Sequence, residues 1–336
     1  MGGLSGHMMH PWENRQLRFS DLAKLAMKEK YTEKIDGFGF QFLLNRSTGH
    51  LHLIRNKRHI GMGGLSFTEI IAEYGNRPAC SAYLAAYTIL NTPRFLTDLM
   101  WLDGEVKVVG DVIFGGDSPL NIVKYDRTFL AIHSVTCNGE EVYMNLPDLC
   151  IDQHEVKVLP NGIHTLVRPL LGNDTKLDEF YWYEFLDAAK RMAVSEGKDY
   201  FSKSTCDFLE TFYSQMMNKK IVKTMLYEEA HIKDLGSGMK ELVDWYIDRF
   251  KELYLETTEK VRDLCTEIGT MLKHNSCGIL GRGYAYTEEM TEAGLFDGNM
   301  DQVFEGLVTE YNGELYKWTG TFGEYNRNYW NKIKKN

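Results

Sequence analysis

The chain has 336 residues and a formal net charge of −9, and 43% of its residues are hydrophobic. This composition allows a sizeable buried core in one large domain or two modest ones, and the negative charge argues against a protein that simply coats nucleic acid. No apolar run approaches the roughly 18 residues of a membrane span, and the first residues lack the pattern of a signal peptide. The six cysteines form no C-x-x-C pair and have no histidine at finger spacing, so we expect free thiols, no zinc site and a cytoplasmic location.

The first predicted elements are a helix and a β-hairpin. Residues 20–30 have the apolar spacing of an amphipathic helix. Residues 33–44 and 50–55 alternate like strands, and the segment between them has the turn chemistry N-R-S-T-G. The two strands are therefore predicted to pair.

Further along, the pattern changes from mixed to helical. A short helix is predicted over 66–74, followed by Gly75, and 99–145 reads mainly as strands. From 176 to 274, apolar residues recur at i, i+3, i+4 and i+7. Strand character returns at 304–319.

These patterns predict an α+β fold, with a mainly antiparallel sheet core interrupted by helices. We expect residues 1–175 and 275–336 to form the core and residues 176–274 to form an inserted helical lobe.

The first chemical signature is Lys34-Ile35-Asp36-Gly37, a K-x-D-G at the start of the predicted strand over 33–44. A lysine attacks the α-phosphate of ATP only as the neutral amine, so desolvation or nearby positive charge must lower its pKa. Gly37 would let the backbone approach a nucleotide closely. A K-x-D-G alone is a weak signal, because it can occur by chance on a surface strand.

Other segments follow the K-x-D-G in a set order. They are Ile54-Arg55-Asn56, Leu102-Asp103-Gly104-Glu105-Val106, the segment 128–133 with the turn 138–141, Glu305-Gly306-Leu307-Val308, and the lysines Lys317, Lys332 and Lys334. This order resembles the ATP-dependent DNA and RNA ligases and the mRNA capping enzymes. In that family the K-x-D-G is followed by an S-R-N-like strand, a D-G-E or G-E strand, an aromatic strand, an E-G-hydrophobic strand and a K-x-K strand. The resemblance covers about 34–145 and 304–334, and the helical stretch between them has no counterpart in it.

The resemblance implies an antiparallel-sheet nucleotidyltransferase core, an ATP-grasp-like ligase core, that uses ATP and Mg²⁺. The catalytic residues would be Lys34, which becomes adenylylated, together with Asp36, Lys317, Lys332 and Lys334. The ATP-binding residues would be Glu33, Lys34, Gly37, Arg55, Glu105, Asp111, Phe129, Glu305 and Lys317.

Individual roles also follow from the resemblance. Arg55 would contact the ribose or a nucleic-acid phosphate, Glu105 would hydrogen-bond the ribose, and Phe129 would stack on adenine. Glu105 and Glu305 would place the metal, a hard cation that prefers oxygen ligands. The lysines would neutralise the charge on the α-phosphate.

Two assignments have alternatives. Gly110-Asp111-Val112-Ile113 also resembles the acidic strand, with a spacing closer to that of the RNA ligases, so Asp111 is the second choice after Glu105. The turn Asn312-Gly313 would pair Val308 with Lys317, and strict alternation would then put Lys317 on the face opposite Glu305. Either a bulge restores the facing, or Lys332 and Lys334 form the last strand.

Two positions depart from the family pattern. Gly39 stands where many ligases carry an arginine. His133 stands where many carry an aspartate, and we interpret it as a strand residue without a catalytic role.

The function predicted from the sequence is an ATP-dependent polynucleotide ligase, with DNA ahead of RNA as the substrate, that joins a 5′-phosphate to a 3′-hydroxyl through a lysyl-AMP intermediate. An RNA ligase of the same superfamily is the close alternative. No oligonucleotide-binding barrel follows the last lysines, so the helical lobe or a second subunit would bind the nucleic acid. A non-catalytic nucleic-acid-binding protein and a helical interaction protein are the competing classes.

Overall fold

The computed structural model describes residues 8–116, 120–125, 127–148, 150–151, 155–197, 213, 239–277, 292 and 299–333. Antiparallel sheets and helices make it an α+β protein, as the sequence predicts. The four cysteines whose side chains are described, Cys80, Cys137, Cys150 and Cys265, are free thiols. None of the described helices combines the length and the apolar character needed to cross a membrane.

The chain divides into two compact units. The first comprises Met1–His10, Leu25–Leu166 and Thr266–Asn336, and the second comprises Pro11–Lys24 and Val167–Cys265. The observed units differ from the predicted core (1–175 and 275–336) and helical lobe (176–274) in two respects. An N-terminal segment belongs to the second unit, and the last turns of its long helix belong to the first.

The first unit contains two sheets. Their strands are β1 (Lys30–Lys34), β2 (Phe38–Asn45), β3 (His50–Leu53), β4 (Val106–Ile113), β5 (Phe129–Cys137), β6 (Glu140–Glu141), β7 (Cys150–Ile151), β8 (Glu155–Val158), β9 (Ser276–Cys277), β10 (Gly306–Tyr311) and β11 (Glu314–Trp318). One sheet has the order β11-β10-β1-β8-β9, and the other has the order β3-β2-β4-β5-β6. All neighbours in both sheets are antiparallel, and β7 adds a short parallel pairing to β5.

The described helices are α1 (Phe19–Ala26), α2 (Lys57–Gly61), α3 (Phe67–Tyr74), α4 (Pro78–Leu90), α5 (Pro93–Met100), α6 (Ile163–Val167), α7 (Leu177–Ser195), α8 (Met239–Asn275) and α9 (Phe322–Ile333). Short 3-10 turns occur at Pro11–Glu13, Arg168–Leu170 and Met300–Gln302. The predicted helix over 66–74 is confirmed, and Gly75 caps it with a positive φ of 44°.

One face of the six-stranded sheet packs on helices α3 to α5. Along β4, Val106, Val108 and Val112 are buried on this face, with Phe40 and Phe42 of the paired strand β2. The alternation of period two leaves the residues between them on the other face. That second face is the one that carries the candidate site.

The predicted hairpin is confirmed, but the strand placed at 33–44 is two strands. The pairing of β2 with β3 joins Phe42 to Leu53 and Asn45 to His50. The chain before it forms β1, which ends at Lys34 and belongs to the other sheet. Lys34 therefore ends a strand instead of starting one, because residues 35–37 cross from one sheet to the next.

The second unit is helical where it is described. Its buried residues include Tyr181 and Phe185 of α7 and Tyr246 of α8. Arg191 of α7 is paired with Asp187 and Glu256.

Candidate active site

The crossing between the two sheets is anchored by Asp36. Its carboxylate accepts hydrogen bonds from the backbone N–H groups of Ile122 (2.5 Å) and Val123 (2.9 Å). Its own N–H donates to the Tyr125 hydroxyl at 2.9 Å. Burial, and then the charge of Glu305, raise the pKa of Asp36 to about 7, although the two N–H groups oppose this shift. Asp36 thus holds the connection that carries Lys34.

Gly37 is required by the close approach of strand β4. A Cβ atom at this position would lie 2.6 Å from the Cβ of Asp111 and 3.1 Å from the carbonyl oxygen of Val112. Any side chain would therefore push the two strands apart. The sequence pointed to a nucleotide as the neighbour of this glycine, whereas the neighbour in the structure is a strand.

A cavity of about 990 Å³ lies between the two sheets of the first unit. Lys34 lines it from the five-stranded sheet, and Asp111 and His133 line it from the six-stranded sheet. Arg55, just after β3, lines it as well. The size is within the range of roughly 300–1,000 Å³ found for small-molecule sites.

Lys34 and Glu305 form an ion pair at this cavity. Their Nζ and Oε1 atoms are 2.8 Å apart, with 24% and 12% of the respective side chains exposed. Burial by itself would lower the pKa of Lys34, but the charge and hydrogen bond of Glu305, helped by Asp111 and Asp36, raise it above the ordinary lysine value. The lowered pKa expected for a nucleophilic lysine is therefore absent in this state, and Lys34 is held as an ammonium.

The pKa of the Glu305 carboxyl is raised above the ordinary glutamate value. Burial raises its pKa, while the positive charges of Lys34 and Lys317 lower it and the charge of Asp111 raises it further. Glu305 is thus a stronger proton acceptor than an exposed glutamate would be.

Lys317 reaches the same region through the register of the β10–β11 hairpin. Val308 pairs with Lys317, as the Asn312-Gly313 turn predicts. Lys34 pairs with Gly306, two residues before Val308, so alternation puts Lys34 and Lys317 on one face of the sheet. Glu305 precedes β10 and does not follow its alternation. The expected conflict between Lys317 and Glu305 therefore does not arise, and no bulge is needed.

Lys332, one of the two alternative lysines, does not lie in a strand. Lys332 is exposed in helix α9, so the prediction of a K-x-K strand there is wrong. The aromatic and polar spacing of this segment has helical period. Lys334 lies outside the described residues.

Of the two acidic candidates, Asp111 lies at the cavity and Glu105 does not. Asp111 is on β4 opposite Gly39, on the cavity face. Glu105 precedes β4, is exposed, and forms an ion pair with Lys107. Glu105, the first choice for the ribose contact, therefore does not line the cavity, because residues 103–105 precede β4 and are not part of a strand; Asp111, the second choice, does line it.

His133 is a cavity residue that the sequence interpretation missed. The register between β4 and β5 shifts between Val109 and Gly110, so His133 is the extra residue of a bulge. A bulge redirects a side chain, and His133 Nε2 lies 2.8 Å from the Asp111 carboxylate. Nothing in the local sequence marks the bulge.

Gln41 is a second cavity residue that the sequence interpretation missed. It lines the cavity, and its buried carboxamide oxygen has no hydrogen-bond partner within the described structure.

Arg55 is held against the cavity wall by three contacts. Its Nη1 donates to the carbonyl oxygen of Gly39 at 3.0 Å, and its guanidinium lies 5.6 Å from the ring centroid of Tyr83. Its backbone N–H donates to His59 Nδ1 at 3.2 Å. Gly39, where many ligases carry an arginine, is thus contacted by an arginine from another element.

Two other predicted ATP ligands are buried. Phe129 is 1% exposed and packs edge-to-face on Tyr125, with ring centroids 5.6 Å apart, in a small core with Ile35 and Ile113. It cannot offer a ring face to adenine, and that role is corrected to core packing. Glu33 is 6% exposed and adjoins the cavity from the end of β1.

The two carboxylates expected to share a metal are not brought to one site. Glu305 is paired with Lys34, and Glu105 lies outside the cavity. Among the described residues, no group of three or more His, Cys, Asp or Glu side chains is arranged to hold a metal ion. The residues present therefore do not form a resident metal site of the predicted kind.

No model of a known protein family matches this chain. No curated protein matches it either.

Proposed function

We propose that the protein is an ATP-dependent polynucleotide ligase with a nucleotidyltransferase core, in which Lys34 accepts AMP. The observation that carries this proposal is the Lys34–Glu305 pair at the wall of a cavity between two antiparallel sheets. The K-x-D-G segment forms the connection between those sheets, and the E-G segment supplies the partner of its lysine. Two motifs some 270 residues apart in sequence thus converge on one ion pair.

The first step would form a bond between the lysine nitrogen and the α-phosphorus of ATP. The bond from that phosphorus to the bridging oxygen breaks, pyrophosphate leaves, and the lysine gives up its protons to become a phosphoramidate nitrogen. Glu305 is the proton acceptor in direct contact with Lys34, at 2.8 Å. Its burial-raised pKa favours this transfer relative to an exposed carboxylate.

Positive charge for the phosphates would come from two sides of the cavity. Lys317 lies on the Lys34 face of the five-stranded sheet, and Arg55 lines the opposite wall. Fixed cations stabilise the charge that develops during phosphoryl transfer. Mg²⁺ would enter with the substrate as Mg–ATP, since it is commonly held by phosphate oxygens with few protein ligands.

In the later steps, AMP would move from Lys34 to a 5′-phosphate, and a 3′-hydroxyl would then displace it. The first-choice acidic strand, with Glu105, favours DNA, whereas the second choice, with Asp111, has a spacing closer to that of the RNA ligases. Because Asp111 lines the cavity instead, the spacing typical of RNA ligases fits better. We therefore put RNA ends first and nicked DNA second.

The helical unit or a second subunit would bind the nucleic acid. Basic residues of the helical unit would supply the phosphate contacts, and the candidates are Lys190, Arg191, Lys203, Lys219, Lys220 and Lys223. Arg191 is already paired with two carboxylates. Lys203, Lys219, Lys220 and Lys223 lie outside the described residues.

The test is incubation with Mg–ATP followed by intact-mass and peptide mass spectrometry. The wild-type protein should gain one AMP at Lys34, and Lys34→Ala and Lys34→Arg should gain none, because a guanidinium stays protonated. Lys30→Ala is the matched control: Lys30 is exposed on the same face of β1 and is paired with Glu155. It should gain AMP normally.

Absence of AMP on the wild-type protein would refute the proposal and favour a binding or interaction protein. An adduct on Lys34→Ala would refute the choice of nucleophile. If the wild type is adenylylated, sealing assays on 5′-phosphorylated RNA ends and on nicked duplex DNA decide between the two substrates.

A further inference from the structure

Lys273, Asp301 and Thr321 form a buried hydrogen-bonded network that contacts the backbone of Glu305. Lys273, in the last turn of α8, forms an ion pair with Asp301, and only 3% and 2% of these side chains are exposed. Thr321 donates a hydrogen bond to the other carboxylate oxygen of Asp301 at 2.7 Å. Lys273 also donates to the backbone carbonyl oxygen of Glu305 at 3.3 Å.

Such a network is costly to build for stability alone. Each buried ion loses much of its hydration free energy, and apolar residues of similar size often stabilise a protein as well or better. The directional contacts of the ammonium and carboxylate have a different effect, since they determine where the attached backbone lies. Asp301 belongs to the Met300–Gln302 turn, which is capped by Asn299 through the Asp301 N–H. The chain then runs directly to Glu305.

We propose that Lys273 is a positioning residue that acts on Lys34 through Glu305. The path runs from Lys273 Nζ to the Glu305 backbone, and from the Glu305 carboxylate to Lys34 Nζ, 2.8 Å away. Lys273 touches no reacting atom in this scheme. The catalytic consequence rests on the proposed adenylylation of Lys34, whereas the positioning itself does not.

The test removes both charges at once. Lys273→Met alone would leave Asp301 as a buried unpaired carboxylate, which is strongly destabilising. The double variant Lys273→Met/Asp301→Asn keeps the net charge and similar side-chain volumes. Thr321→Val is a milder variant that removes one hydrogen bond to Asp301 and serves if the double variant does not fold. The control, Lys260→Met/Glu184→Gln, removes an ion pair with a largely exposed lysine on helices α7 and α8.

Two readouts separate positioning from simple stability. The first is the pH dependence of acetylation at Lys34 by acetic anhydride without ATP, quantified by peptide mass spectrometry, because only the neutral amine reacts. The charged groups that shift the pKa of Lys34 are Glu305, Asp111 and Asp36, and Lys317 acts on Glu305. Arg55 and His133 line the same cavity. If the Glu305 carboxylate moves away from Lys34, the pKa of Lys34 falls. The curve of Lys34 acetylation against pH should then move to lower pH.

The second readout is the rate of AMP attachment. We expect the maximal rate constant of this single-turnover reaction to fall by up to ~100-fold, as for a small misplacement of a reacting group. The ATP concentration that gives the half-maximal rate should change little. Thr321→Val should show the same changes to a smaller degree, and the control should show neither. A folded double variant, or a folded Thr321→Val variant if the double does not fold, with an unmoved labelling curve would overturn the inference. If the wild type takes no AMP, the proposed function fails, but the labelling curves still decide whether Lys273 positions Glu305.

Discussion

Replacing Glu305 with glutamine tests the electrostatics of the candidate site most directly. At 2.8 Å the attraction between two unit charges is about 6 kcal/mol for an effective dielectric constant of ~20. Desolvation offsets part of this attraction, and the partial exposure of both side chains reduces it further. Glutamine also keeps an oxygen that can accept the Lys34 hydrogen bond. We therefore expect Glu305→Gln to lower the free energy of unfolding by about 2–3 kcal/mol, which is a fall in Tm of about 4–12 °C.

The same variant should change the protonation of Lys34. Without the charge of Glu305, burial prevails and the pKa of Lys34 falls, so more neutral amine is present at neutral pH. Because the folded-state pKa of Lys34 is raised, the contribution of the pair is complete below the ordinary lysine pKa and is lost as pH rises through the folded value. The difference in Tm between wild type and variant should therefore shrink in strong alkali.

The assays are thermal denaturation across pH and acetylation of Lys34 across pH. Glu310→Gln is the matched control, since Glu310 is an exposed glutamate on strand β10. It should leave both curves unchanged. Unchanged Lys34 labelling in a folded Glu305→Gln variant would refute the view that Glu305 holds Lys34 as an ammonium.

Four other outcomes are expected. Asp111→Ala should strongly lower AMP attachment while Glu105→Ala leaves it near wild type, measured by ATP labelling; normal labelling in Asp111→Ala would displace Asp111 from the site. Phe129→Ala should cost about 3–5 kcal/mol of stability by denaturant unfolding, and a loss of ATP affinity without a loss of stability would restore the stacking role. Asp36→Asn should flatten the pH dependence of stability: the raised pKa of about 7 means that the contribution of protonated Asp36 is complete below the ordinary aspartate pKa and is lost as pH rises through 7. Replacing Val167–Cys265 by a short linker, which keeps Lys273, should spare AMP attachment but abolish end sealing; full sealing by a folded truncated protein would assign the helical unit to another task.

The short-range features of this protein could be predicted from its sequence. The β2–β3 hairpin, the helix ended by Gly75 and the pairing of Val308 with Lys317 all follow from turn chemistry and alternation over a few residues. At Asn312-Gly313, both residues have positive φ, 53° and 79°, which is what a two-residue hairpin turn requires. The sequence also singled out Lys34 and Glu305, which the fold brings into contact.

Only the tertiary structure decided which of the candidate side chains meet. Whether Asp111 or Glu105 faces the cavity depends on where β4 begins, and the place of His133 depends on a bulge set by pairing with a distant strand. Phe129 and Phe322 pack together in a core formed by chain segments nearly 200 residues apart, which local periodicity cannot reveal. The charge state of Lys34 likewise depends on burial and on Glu305. Packing and electrostatics act through space, whereas sequence patterns report neighbours along the chain.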